Sequence, residues 1–115
     1  MPGGGNFSSP LPIDKQGHIV PTGPLSVPQD ETITKLYAWV LQEKPDGTGA
    51  MCAASQEAEG FVGLAGQSIW TAKARPIHEG RFDPGPAVGV AVLISRHHVD
   101  GEPRVFWWWD NIALE

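Results

Sequence analysis

From Thr32 onward, apolar residues recur at every second position, the period of a half-buried strand. In Thr32-Ile-Thr-Lys-Leu-Tyr-Ala-Trp-Val-Leu-Gln42 the even positions Leu36, Ala38 and Val40 are uniformly apolar and predict a core-facing side. The odd positions Ile33, Lys35, Tyr37, Trp39 and Leu41 mix charge with aromatic rings, as a semi-exposed face does. A helix here is disfavoured by the β-branched residues and by the turn sequence Lys44-Pro-Asp-Gly-Thr-Gly49 that follows. Met51 to Ser55 then predicts a return strand, and Gln56 to Gly60 a helical turn or a loop. Phe61-Val-Gly-Leu-Ala-Gly66 is apolar but broken by two glycines, the pattern of a bent strand. Ser68 to Arg75 alternates cleanly, with Trp70, Ala72 and Ala74 on the inward side. Pro76 to Pro86 reads as a loop.

Two strand-like runs, Pro86 to Ser95 and Arg104 to Leu114, flank the dipeptide Asp100-Gly101, a strong hairpin signal. A two-residue loop pairs Val99 with Glu102, Ile94 with Trp107 and Val92 with Trp109. It collects Val88, Val90, Val92, Ile94, Trp107 and Trp109 on one strongly apolar face, the expected core. The opposite face then carries Ala91, Leu93, Ser95, Phe106, Trp108 and Asp110. A loop one residue longer turns Trp107 and Trp109 outward instead.

Residues 1–28 differ in character. Six of the eleven prolines and five glycines fall here, with Asp14 and Lys15 as the only Asp, Glu, Lys or Arg. Such a stretch sustains no helix and makes a weak central strand. It is expected to be a Pro/Gly-rich extended or flexible arm, with a turn at Lys15-Gln-Gly-His18 and an edge strand at His18 to Pro21 as its ordered parts. Its apolar residues Phe7, Leu11, Ile13, Ile19, Val20, Leu25 and Val27 suit an arm laid along its own domain or a neighbouring subunit. Residues 29–115 are the expected domain. Six or seven short strands with frequent turns predict an all-β antiparallel β-sandwich, Ig-like or jelly-roll-like. The run Phe82-Asp-Pro-Gly-Pro86 resembles the corner before a late strand of Ig-like sandwiches.

Composition narrows the partners. The 115 residues carry a net charge of −5, with eight Lys and Arg scattered singly, which argues against nucleic acid. The apolar run Ala87 to Ile94 is far short of the roughly 20 residues that span a bilayer. A soluble chain is expected, with no signal peptide at its start and no membrane partner. One cysteine, Cys52, excludes an intramolecular disulfide and a multi-thiolate zinc site, and it reads as a small buried hydrophobe. The terminal Leu114-Glu115 has the form of a cloning-site remnant.

The sequence carries none of the familiar catalytic motifs: no Gly-x-Ser-x-Gly elbow, no phosphate-cradling loop, no His-Glu-x-x-His. His97 and His98 are adjacent, so in a strand they point to opposite faces and do not share a metal. His18 and His78 lie in expected loops, and Glu57, Glu59, Glu79 and Asp83 read as solvated charges. Neither a cofactor nor a metal is expected. Aromatic rings are the feature with functional reach, since five Trp in this length is high. Sugar rings stack their C–H faces on flat aromatic side chains, while carboxylates and amides bond the hydroxyls. The expected ligand-binding residues are therefore Trp108, Phe106 and Asp110 on the outer face of the hairpin, joined by Trp39 and Tyr37. The closing Trp109-Asp-Asn-Ile-Ala-Leu114 resembles the last strand of jelly-roll or Ig-like β-sandwich carbohydrate-binding modules, which often end on Asp/Asn-Asn/Asp-Ile/Val-x-Leu. That resemblance implies a non-catalytic module whose partner is an oligosaccharide. The alternative is a structural subunit of a homo-oligomer, assembled through the aromatic face and the N-terminal arm.

Overall fold

The computed structural model describes residues 4–28, 30–44, 47, 50–54, 58–62, 67–72, 75–77 and 80–115. They form nine strands: β1 (Gly4–Gly5), β2 (Thr22–Ser26), β3 (Glu31–Glu43), β4 (Ala50–Ala54), β5 (Ala58–Val62), β6 (Gln67–Ala72), β7 (Arg75–Pro76), β8 (Gly85–His97) and β9 (Pro103–Leu114). Four strands make one sheet in the order β1-β2-β6-β5, and five make a second in the order β7-β4-β3-β8-β9. Neighbours in both sheets run antiparallel. The fold is an all-β antiparallel sandwich. With the first sheet as A-B-E-D and the second, read from β9, as G-F-C-C′ with the short β7 added beyond C′, the strand order is that of an Ig-like sandwich. The disulfide that joins strands B and F in antibody domains has no counterpart, because Cys52 is the only cysteine.

The long strand β3 lies where its alternation places it. Leu36, Ala38 and Val40 are fully buried, and their neighbours Tyr37 and Trp39 face away from the core. A bulge between Ile33 and Lys35 shifts the phase, so both of these residues sit beside β8 out of simple alternation. Trp70 on β6 is likewise fully buried, as expected of the inward side of that strand. Its indole N–H donates to the Asn6 carbonyl at 3.1 Å, which satisfies the one polar atom that burial would otherwise strand.

Residues 4–28 do not precede the domain; they are part of it. β2 sits between β1 and β6 inside the four-stranded sheet, beginning at Thr22 rather than at His18. Phe7, Leu11, Ile19 and Leu25 belong to the common hydrophobic cluster. Of the prolines in this segment, Pro21 lies just before β2 and is fully buried, whereas Pro24 lies inside β2 opposite Ile69, where its carbonyl accepts from the Asn6 N–H at 3.2 Å. Leu11 bridges Leu114 in parallel, with Leu11 N–H donating to the Ala113 carbonyl at 2.8 Å. Leu114, which reads as a cloning remnant, is a buried core residue. Ala58 to Gly60, expected in a helical turn or loop, are strand residues of β5; residues 55–57 and 63–66 lie outside the described residues. Residues 73, 74, 78 and 79 do too, and with them His78 and Glu79.

The hairpin β8–β9 departs from expectation twice. Its loop is longer by two residues, His98 to Gly101, closed by His97 N–H donating to the Glu102 carbonyl at 3.2 Å. Asp100 spends its carboxylate on the Glu102 N–H at 2.9 Å, and Gly101 takes φ +68°, a conformation that suits glycine. Val92 therefore pairs with Trp107 and Val90 with Trp109. A shift of two preserves which side chains share a face. The second departure is which of those faces is the core. Ala91 and Leu93 are fully buried, whereas Trp107 and Trp109 are 68% and 65% exposed. Pairing with β3 decides this: Leu36 lies opposite Leu93 and Ala38 opposite Ala91, so the core side of β3 extends across β8. The cause is shape. Interiors are filled by complementary volumes, and the inner residue Gly89 leaves room for the Phe7 ring, which in turn meets Trp70 edge-on at 4.9 Å.

Candidate functional site

The outer face of the five-stranded sheet is built from three strands in register. Trp39 on β3, Val90 on β8 and Trp109 on β9 form one row across it, and Tyr37, Val92 and Trp107 form the next. Leu41, Val88 and Asn111 continue the pattern toward one end, and Lys35, Ile94 and Val105 toward the other. Alternation supplies every member, because each is two residues from the next along its own strand.

The result is a furrow. Tyr37 and Trp39 make one wall, their rings stacked at 6.4 Å and 29°. Trp107 and Trp109 make the other, and the valines of β8 form the floor, with Val92 only 6% exposed. The two walls stand on strands separated by β8, so their backbones are about 10 Å apart. Apolar area extends beyond the rings through Leu41, Val88 and Val105, all substantially exposed. No charged residue stands in the two central rows.

Charge and hydrogen-bonding groups gather at the ends. A shallow cavity of about 530 Å³ adjoins the Leu41–Val88–Asn111 row and is lined by Glu43 and Lys44 as well. Lys44 is already engaged: its ammonium lies 2.8 Å from the Asp83 carboxylate and also donates to the Arg81 carbonyl. Glu43 and Asn111 are exposed and offer a carboxylate and an amide beside Trp39 and Trp109.

The expected site residues divide between the two faces. Tyr37 and Trp39 stand on the outer face, as read from β3. Phe106, Trp108 and Asp110 point inward. Phe106 and Trp108 pack against the core, and Trp108 meets Trp70 edge-on at 6.2 Å and 62°. Asp110 accepts a hydrogen bond from the Phe7 backbone N–H at 2.7 Å, a structural duty. The Trp108 indole nitrogen is buried without a hydrogen-bond partner among the described residues. Trp107 and Trp109 take the surface role in place of Trp108. A signal for them was present in the chain. Tyr37 and Trp39 already read as outward, and once β8 is known to pair with β3 and β9 with β8, the residues in register with them, Trp107 and Trp109, follow outward too.

The histidines hold the loop end together. His97 Nε2 lies 2.7 Å from Asp30 Oδ2 and its Nδ1 lies 3.3 Å from Asp100 Oδ1, while His98 Nε2 contacts the Thr32 hydroxyl at 2.6 Å. The bond from His97 holds the Asp30 carboxyl below its ordinary value. Among the described residues, no group of three or more His, Cys, Asp or Glu is placed to hold a metal ion. Cys52, half-buried beside Leu41, has its thiol pushed up by burial, away from the thiolate a nucleophile needs.

No family model matches the chain, and no curated protein does. A solved structure of murine CRIg aligns over 97% of each chain at 8% identity and a TM-score of 0.39. At those values the likeness carries no argument. The fold assignment rests on the strands and their order.

Proposed function

We propose that the protein is a non-catalytic binding module that recognises carbohydrate on the outer face of its five-stranded sheet. The observation that carries this reading is the pair Trp107 and Trp109, both about two-thirds exposed on one face opposite Tyr37 and Trp39. The exposed indoles of Trp107 and Trp109, across a valine floor from the half-buried Tyr37–Trp39 stack, suit the C–H faces of an extended sugar chain laid along the furrow. Glu43 and Asn111 at the cavity end supply an acceptor and an amide for hydroxyl groups.

Titration with a panel of soluble oligosaccharides tests it by intrinsic tryptophan fluorescence. Binding shifts or quenches the emission, and Trp109→Ala weakens the response at least about tenfold, 1.4 kcal/mol, with unchanged far-ultraviolet circular dichroism. A spectrum that no glycan alters sinks the reading.

A protein partner is the second reading, and Leu41, Val88 and Val105 favour it. They widen the apolar area beyond what sugar stacking uses, and exposed patches of that kind mark protein interfaces. The homo-oligomer version of this reading loses its arm, since residues 4–28 are spent inside the sandwich. The aromatic face remains available to it.

A further inference from the structure

β9 is an edge strand, paired with β8 on one side. The closing bond from His97 to Glu102 sets the phase of that ladder. Even-numbered residues of β9 exchange hydrogen bonds with β8, and odd-numbered residues point their N–H and C=O groups outward. Ala113 verifies the phase, because its outward carbonyl accepts from Leu11 and its N–H bonds the Ser9 hydroxyl at 3.0 Å. The N-terminal segment therefore covers the edge from Ala113 onward. Between Pro103 and Asn111 nothing among the described residues reaches the outward groups of Val105, Trp107 and Trp109. Native proteins blunt such edges with bulges, and the β8–β9 register contains none.

We propose that this open edge pairs antiparallel with the same edge of a second copy, about a two-fold axis at Trp107. The length of the edge argues for self-pairing. Pro103, which has no N–H, closes one end, the Ser9–Leu11 cover closes the other, and Trp107 is the midpoint of what is left. In that register Trp107 faces Trp107 of the second copy, and Val105 faces its Trp109, all with outward hydrogen-bonding groups. Charge complementarity gives a second, independent argument. The same register sets Arg104 opposite Asp110 of the second copy, and by symmetry Asp110 opposite its Arg104. Within its own chain the Arg104 guanidinium otherwise lies 3.7 Å from Asp100, and Asp110 Oδ2 accepts from the Phe7 N–H. Opposite charges directly across a strand pair stabilise it, and like charges oppose it. Pairing on other odd positions either leaves part of the edge unused or drives the second copy into the cover at Ala113. The two sheets become one, and their aromatic outer faces become continuous. This does not depend on what the outer face binds.

Sedimentation velocity and amide hydrogen exchange on the full chain test it. A concentration-dependent dimer is expected, with the amides of Val105, Trp107 and Trp109 protected and that protection lost on dilution. A monomer at all concentrations overturns the proposal. So does a dimer in which those three amides exchange fast beside slow Phe106 and Trp108, since it would pair through another surface. Val105→Pro removes an outward N–H while sparing the ladder to β8, and is expected to give a folded monomer; a folded variant that still dimerises overturns the proposal. Arg104→Glu, which leaves the backbone intact, is expected to raise the dissociation constant about tenfold, and an unchanged constant counts against the register. Oligosaccharide titration of monomeric Val105→Pro reports separately on the sugar reading.

Discussion

The ring of Phe7 occupies the space that a side chain on Gly89 would need: a Cβ built there falls 2.8 Å from three ring carbons. The inner face of β8 is thus cut away where the N-terminal segment crosses it. Gly89→Ala is expected to destabilise the domain by about 1–3 kcal/mol through overpacking. Phe7→Ala leaves the hole unfilled and is expected to cost about 3–5 kcal/mol. Urea denaturation of both variants checks this, and a neutral Gly89→Ala would refute the contact.

Asp110 anchors the same crossing from β9 through the Phe7 N–H. Removing a charged acceptor from a half-buried donor costs about 1.5–3 kcal/mol. Asp110→Ala is expected to lower the denaturation midpoint accordingly. If Asp110 served a ligand instead, the variant would keep its stability and lose only binding.

Exposure ranks the tryptophans. Acrylamide is expected to quench Trp107 and Trp109 most, the half-buried Trp39 and Trp108 less, and Trp70 least. Replacing Trp107 and Trp109 together by Phe should remove most of the quenchable emission. An unchanged quenching constant in that variant would mean that the faces of the hairpin are assigned the wrong way round.

Among the described residues, three carboxyls are held below their ordinary value: Asp14, mainly by the His18 backbone N–H; Asp30, by the His97 side chain; and Asp100, by the Glu102 backbone N–H. A carboxyl depressed in the folded state adds stability that is present above its unfolded pKa, near 3.8, and lost as pH falls through the folded value. Stability is therefore expected to fall below about pH 4. Asp30→Asn should flatten part of that acid limb, and an identical pH profile for the variant would exclude the His97 contact in solution.

Burial raises the Cys52 thiol. Alkylation at neutral pH is expected to be slow in the folded protein and fast in denaturant. Equal rates in the two states would place the thiol in open solvent.

The sandwich was legible because its strongest signals are local. β3, β6 and the β8–β9 pair are read from alternation alone, and the inward faces of β3 and β6 follow from Leu36, Ala38, Val40 and Trp70. The face of the hairpin was not, because Val88, Val90, Val92 and Ile94 outweigh Gly89, Ala91, Leu93 and Ser95 in apolar content. Hydrophobicity is a sum, whereas packing is a fit of volumes. What tips the balance is Phe7, about eighty residues away in sequence, seated on Gly89. The place of the N-terminal segment is hidden for a related reason. Its prolines and glycines describe the local chain accurately, but the burial of Phe7, Leu11 and Leu25 depends on partners from β6, β8 and β9. At the site, Tyr37 and Trp39 follow from periodicity within one strand, and Trp107 and Trp109 require knowing which sheet covers which face.

Residues 7–13 and residues 110–115 meet at one place. Phe7 waits for Asp110, Leu11 for Leu114 and Ile13 for Glu115. Contacts of such sequence separation are slow to form, and during synthesis the opening segment has no home until the closing strand has left the ribosome. Until then Phe7 and Leu11 have no partners on β9 to bury against, so the sandwich closes only when residues 110–115 are free to pair.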